Sequence, residues 1–210
     1  MASSQLFTNI KTLVTNDAAV DNGALGVIED AAFIVDEGKI AWVGSAGQAP
    51  DVDQQFDVDG RAVLPGFVES HSHLVFQGDR SVEFAARMEG KKYEAGGIRT
   101  TIEKTRSATD QQLKANIQRY MNEYLRQGTT TVEVKSGYGQ SAASEVQGVK
   151  VAATCTDEVT LLAAHVAPEE YAGRQDEYVQ MAIDEMIPLA ANYAKWIDVF
   201  CEKGAFTEEQ

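Results

Sequence analysis

The sequence predicts an α/β chain: about four strand–helix units of an incomplete (β/α)8 barrel over residues 61–210, preceded by a small β-rich domain over residues 1–60. Three observations carry this. From Ala62 onward, short β-branched runs alternate with segments of helical period, the pattern of right-handed βαβ units on a parallel sheet. The first sixty residues hold only short strands and turns. The polar residues best suited to chemistry fall where the barrel strands end, the face on which such barrels carry their sites.

In the first sixty residues, Leu6 to Leu13, Gly26 to Val35 and Lys39 to Val43 are rich in β-branched and aromatic residues. Turn residues Asp21-Asn22-Gly23 and Asp36-Glu37-Gly38 separate them, and Glu37-Gly38-Lys39 suits a hairpin. Ala62 to Glu69 then reads as the first barrel strand, Ser81 to Met88 as a short helix, and a glycine-containing loop runs through Gly96-Gly97. Asp110 to Gln127 has Leu113, Ile117, Tyr120, Met121, Tyr124 and Leu125 at helical spacing, with Gly128 as a C-cap. Thr129 to Val134 is the second strand and Ser141 to Thr154 a helix. Val159 to Val166 is the third strand, Pro168 to Tyr171 a loop, Asp176 to Ala194 a helix and Trp196 to Phe200 the fourth strand. Eight such units need about 250 residues, so the chain is expected to continue past Gln210. A doubly wound open sheet is the competing architecture, but no glycine-rich phosphate loop follows any strand.

With 210 residues, 44% of them hydrophobic, the chain can bury a real core. A net charge of −14 argues against nucleic acid as a partner, since phosphates would be repelled. No run of about eighteen apolar residues exists to span a membrane, and the N-terminus lacks a secretory pattern. Cytoplasm is the expected compartment. Cys155 and Cys201 are too few and too far apart for a disulfide framework. With no histidine near either in sequence, both read as small buried hydrophobes.

Only three histidines are present, and two of them are His71 and His73. Residues i and i+2 of a strand share a face, so the pair can grip one divalent ion through imidazole nitrogens at about 2.0–2.1 Å. A chance His-x-His making ordinary hydrogen bonds is the alternative. His165 closes the third strand; it is either a satisfied core histidine or a residue that bonds a substrate or shuttles a proton. Arg80, seven residues past His73, can grip a carboxylate bidentately, or pair with Asp79 or Glu83. Lys135-Ser136-Gly137-Tyr138-Gly139 follows the second strand: two glycines let backbone approach a ligand while the phenol bonds it, or the run is a plain turn. Glu133 and Lys135 share a strand face, where an ion pair suits both.

These residues carry a resemblance. Leu64-Pro65-Gly66-Phe67-Val68-Glu69-Ser70-His71-Ser72-His73 resembles the first metal-binding strand of the amidohydrolase superfamily. His73 to Arg80, Glu83 to Met88, Gly128 to Gly139 and Ala164 to Tyr171 are similar to the imidazolonepropionase family within it, across essentially all 210 residues. The resemblance implies hydrolysis of the cyclic amide of 4-imidazolone-5-propanoate to N-formimino-L-glutamate, in histidine degradation. It implies one divalent ion, zinc or iron, on His71 and His73. Arg80 matches the residue holding the substrate's propionate, and Tyr138 and His165 match residues contacting the substrate. It further implies a homodimer for the complete enzyme, with a third metal histidine, a metal aspartate and the acid/base residues beyond Gln210. On this reading residues 1–210 alone hydrolyse nothing. Another cyclic-amidohydrolase or deaminase of the superfamily, or a non-catalytic half-barrel assembling with a partner, are the alternatives.

Overall fold

The computed structural model describes residues 4–21, 23–90 and 96–210. The chain divides into two compact units, Met1–Gly66 and Phe67–Gln210. Asn22 of the first predicted turn lies outside the described residues, as does the side chain of Glu83.

The first unit is a mixed sheet built on β1 (Gln5–Val14). β2 (Val27–Asp36) pairs with it antiparallel, and β3 (Lys39–Ser45) with β2. Asp36 faces Lys39 across the second hairpin, with Glu37 at φ 49° and Gly38 at φ 76°. Two consecutive left-handed residues make the two-residue turn whose twist matches the strands, as the sequence led us to expect. β4 (Gln54–Asp57) and β5 (Ala62–Val63) both run parallel to β1. Phe7 stacks between Phe33 and Phe56, at ring-centroid distances of 4.8 and 5.2 Å.

The second unit is a parallel sheet whose strands follow sequence order: β6 (Phe67–Ser72), β7 (Thr129–Lys135), β8 (Val159–Ala164) and β9 (Trp196–Val199). The expected strand Ala62–Glu69 is two strands in two sheets. Leu64-Pro65-Gly66 separates β5 from β6, and Pro65 has no N–H to give a ladder. Helices α1 (Ser81–Met88), α2 (Gly96–Arg106), α3 (Asp110–Arg126) and α4 (Ala142–Ala152) lie between strands in sequence. The expected glycine loop is in fact the start of α2. Between β8 and β9, α5 (Gln175–Met181) passes through a π-helical segment, Ala182–Met186, into α6 (Ile187–Ala190).

Side-chain alternation sorts β7 and β8 into two faces. Val132, Val134, Leu161 and Ala163 join Leu113 and Ile117 of α3 and Val146 and Val149 of α4 in one buried cluster. Glu133, Lys135, Thr160 and Leu162 take the alternate positions and so face the other way. The C-terminal ends of β6, β7 and β8 carry the loops in which the candidate residues lie.

Candidate active site

His71 is the second-last residue of β6 and His73 directly follows the strand. Their Nε2 atoms are 3.3 Å apart, so the strand's period brings two ring nitrogens together as the sequence suggested. Burial, followed by the neighbouring His165, His71 and Lys135, lowers the His73 pKa to about 4. His73 is therefore neutral at pH 7, the form in which an imidazole nitrogen offers a lone pair.

His165 stands just past β8, its ring 5.4 Å from that of His73 with only 26° between planes. Tyr138, in the loop after β7, sets its ring 5.9 Å from His73 and 5.4 Å from His165. Phe200, beyond β9, meets His165 edge-on at 5.9 Å. Arg80, Tyr138 and His73 line one cavity of about 690 Å³ together with Phe76, Phe84 and Tyr120. Burial raises the Tyr138 phenol, and the Arg80 guanidinium partly offsets this. The five candidate site residues thus lie in one region, His71 near the end of β6 and the other four on the loops after β6, β7 and β8. Cys155 is half-buried, but Cys201 is exposed, because it follows the end strand β9 instead of a covered one.

Two imidazoles suit zinc or iron in donor type. They fall short in number: among the described residues no group of three or more His, Cys, Asp or Glu is placed to hold a metal ion. His73 Nδ1 is also buried without a hydrogen-bond partner among the described residues. A metal-ligating histidine ordinarily donates its other N–H to an acceptor.

Beneath the histidines, a polar network crosses all four strands. Lys135 Nζ reaches Glu133 Oε1 at 2.9 Å and Asp198 Oδ2 at 2.8 Å. The Thr160 hydroxyl donates to Glu133 Oε1, and the Ser72 hydroxyl donates to the Glu133 carbonyl at 2.5 Å. The Glu133–Lys135 pair follows from the two-residue period. Asp198 and Thr160 do not, since nothing local in sequence says which strands will be neighbours.

The loop after β7 is shaped by Glu145, which by sequence is an ordinary residue of the helix expected over Ser141 to Thr154. Its side chain is fully buried, and Oε2 accepts the Gly137 N–H and Oε1 the Gln140 N–H, both at 2.7 Å. Burial raises its pKa, with the Ser136 hydroxyl and the N–H groups of Gln140, Gly137 and Gly139 opposing that shift. The two glycines answer to packing. Gly137 has φ 118°, and a Cβ there would lie 3.0 Å from Leu162 and 3.1 Å from His165 Nδ1. A Cβ on Gly139 would lie 2.7 Å from the Glu145 backbone nitrogen. Neither needs a ligand to account for it.

No family model matches the chain. Curated relatives do: an imidazolonepropionase of Nocardia farcinica is 64% identical over 203 residues, 97% of this chain and 52% of the relative. That of Rhodococcus jostii is 63% identical over 207 residues, 99% of this chain and 51% of the relative. That of Streptomyces coelicolor is 53% identical over 211 residues, 100% of this chain and 54% of the relative. Among solved structures, a triazine hydrolase variant superimposes with a TM-score of 0.57 at 20% identity, covering 91% of this chain and 43% of that one. Escherichia coli guanine deaminase does so with a TM-score of 0.50 at 17% identity, covering 95% and 54%; these two speak to the fold alone. Along nearly its whole length the chain is thus similar to curated imidazolonepropionases, about half of whose length it spans.

Proposed function

We propose that this chain forms the first four β/α units of a metal-dependent amidohydrolase barrel, with residues 1–60 as a small β-rich domain before it. The whole protein is then an imidazolonepropionase, hydrolysing the cyclic amide of 4-imidazolone-5-propanoate to N-formimino-L-glutamate, in the cytoplasm and as a homodimer. The single observation that carries this is 64% identity to a curated imidazolonepropionase along nearly the entire chain. The site supports it in kind: a guanidinium and a phenol line one cavity with a neutral imidazole, which suits a small anionic ligand with a planar ring.

His71 and His73 are the residues that would hold the ion, zinc or iron. The remaining ligands and the acid/base groups are assigned to the part of the relatives' length that this chain does not span, because a catalytic zinc typically takes three protein ligands and a water. A bound ion supplies Lewis acidity and an acidified water at neutral pH. Arg80 grips the propionate, the planar fork matching a carboxylate better than an ammonium does. Tyr138 and His165 orient the ring against the histidine pair, and Phe76 lines the cavity beside them.

The test is Arg80→Ala in the full-length enzyme bearing this sequence. Losing a charge-assisted pair costs about 1.5–3 kcal/mol, so KM for 4-imidazolone-5-propanoate rises at least about tenfold. An unchanged KM would show that Arg80 does not bind the substrate.

A further inference from the structure

The mechanism above leaves a buried carboxyl unused. Glu145 is 1% exposed and lies on α4, behind the loop that carries Tyr138. Its two oxygens take the N–H groups of Gly137 and Gln140, at 2.7 Å each. Gly137 is thereby fixed at φ 118°, and its carbonyl meets His165 Nδ1 at 2.9 Å. Gln140 is fixed at φ 52°, and its side-chain amide donates to the Val166 carbonyl at 3.0 Å, next to His165 in sequence. Arg106 clamps the same turn from outside, donating to the Gly139 carbonyl at 2.7 Å and to the Gln140 carbonyl at 3.2 Å. One carboxyl group therefore organises both loops that carry the aromatic site residues.

The contact between Gly137 and His165 has a chemical consequence. A backbone carbonyl only accepts hydrogen bonds, so the proton between them belongs to His165 Nδ1. In the neutral ring, Nε2 then keeps its lone pair, since the bond made by one nitrogen sets the role of the other.

We propose that Glu145 is a positioning residue of the site: through Gly137 it holds His165 as the Nδ1–H tautomer, leaving Nε2 as an acceptor. Resting on the functional reading above, the partner of Nε2 is a ring N–H of the imidazolone substrate. A ligand with no N–H at that point leaves the nitrogen unpaired. Glu145 itself touches no substrate.

The chain has only three histidines, so the tautomers can be read directly. The experiment is a long-range ¹H–¹⁵N correlation spectrum of the histidine-labelled chain at alkaline pH, with His165 assigned by the signals lost in His165→Asn. The wild type shows a protonated, pyrrole-type Nδ1 and a pyridine-type Nε2 at His165. In Glu145→Gln, one of the two N–H groups faces an NH2 in place of an oxygen, and the two His165 signals move toward each other as the tautomers mix. Binding of 3-(imidazol-4-yl)propanoate to the full-length enzyme bearing this sequence, followed by calorimetry, weakens roughly tenfold with the same substitution. A wild-type His165 protonated on Nε2 overturns the proposal, as does a folded Glu145→Gln with the wild-type His165 pattern. Should Glu145→Gln fail to fold, Glu145→Asp replaces it: its shorter carboxylate shifts the pattern part-way, and no shift overturns the proposal. If the wild type shows the Nδ1–H tautomer yet the full-length enzyme does not bind the propanoate probe, the substrate reading fails and the positioning role of Glu145 stands.

Discussion

Lys135 is 7% exposed, and in that setting an ammonium persists only with partners. Burial would lower its pKa, but the carboxylates of Asp198 and Glu133 raise it above the ordinary value. Lys135→Met leaves Glu133 without its counter-charge, and removing one member of a buried pair costs about 3–5 kcal/mol. Urea unfolding should show a loss near the lower figure, since Thr160 and Ser72 still bond Glu133. The same network gives a pH dependence. Burial pushes the Asp198 carboxyl up, yet the bond from Lys135 and the Val199 N–H hold it below its ordinary 3.8. A lowered carboxyl contributes stability above its unfolded value and loses it as pH falls through the folded one. Below about pH 4 the wild type therefore loses stability more steeply than Asp198→Asn, and equal slopes would remove Asp198 from the account. At this scale the sequence revealed the residues whose relation is local: His71 with His73, Glu133 with Lys135. Asp198 and Glu145 stayed hidden because their partners are set by which strand lies beside which and by how a loop folds back on the next helix.

Elements were legible where one signal dominated. α3 has apolar residues at helical spacing and a clear stop at Gly128, and its start carries a capping box. Thr109 accepts the Gln112 N–H at 3.3 Å, while the Gln112 side chain accepts the Thr109 N–H at 2.9 Å. Thr109→Ala removes half of that exchange and should cost about 1 kcal/mol, read as a lowered thermal midpoint. No change would mean that α3 is held by its buried face alone. α2 was hidden because it opens on Gly96-Gly97 and carries two threonines in its middle, all poor helix formers. β4 was hidden because all four of its residues are exposed; pairing with β1 makes it a strand, and periodicity had nothing to show. The helix expected over Asp176 to Ala194 is interrupted at Ala182–Met186 because Pro188 has no N–H and its ring crowds the carbonyl four residues back. The π-helical turn takes up that mismatch.

For the molecule as a whole, the parallel sheet ends in β6 and β9, and both show apolar side chains to solvent. Phe67 and Val68 on β6, and Trp196, Ile197 and Val199 on β9, are each more than half exposed. End strands of this kind are templates for further pairing. A charge of −14 opposes association without covering the patches. In sedimentation velocity the 210-residue chain should associate as concentration rises, and Val199→Lys should weaken that association. A monomer at every concentration would show that these strands need no cover.

The ion-paired network is also shared unevenly between its strands. Glu133 and Lys135 lie on one strand and neutralise each other without help, so β7 keeps its charge balance whether or not β9 is docked. β9 is four residues long, and its side-chain hold on β7 is the Asp198 carboxylate. Release of the Asp198 carboxylate therefore leaves the Glu133–Lys135 pair of β7 intact. β9 thus latches onto β7 through a single carboxylate, while its backbone ladder lies on β8.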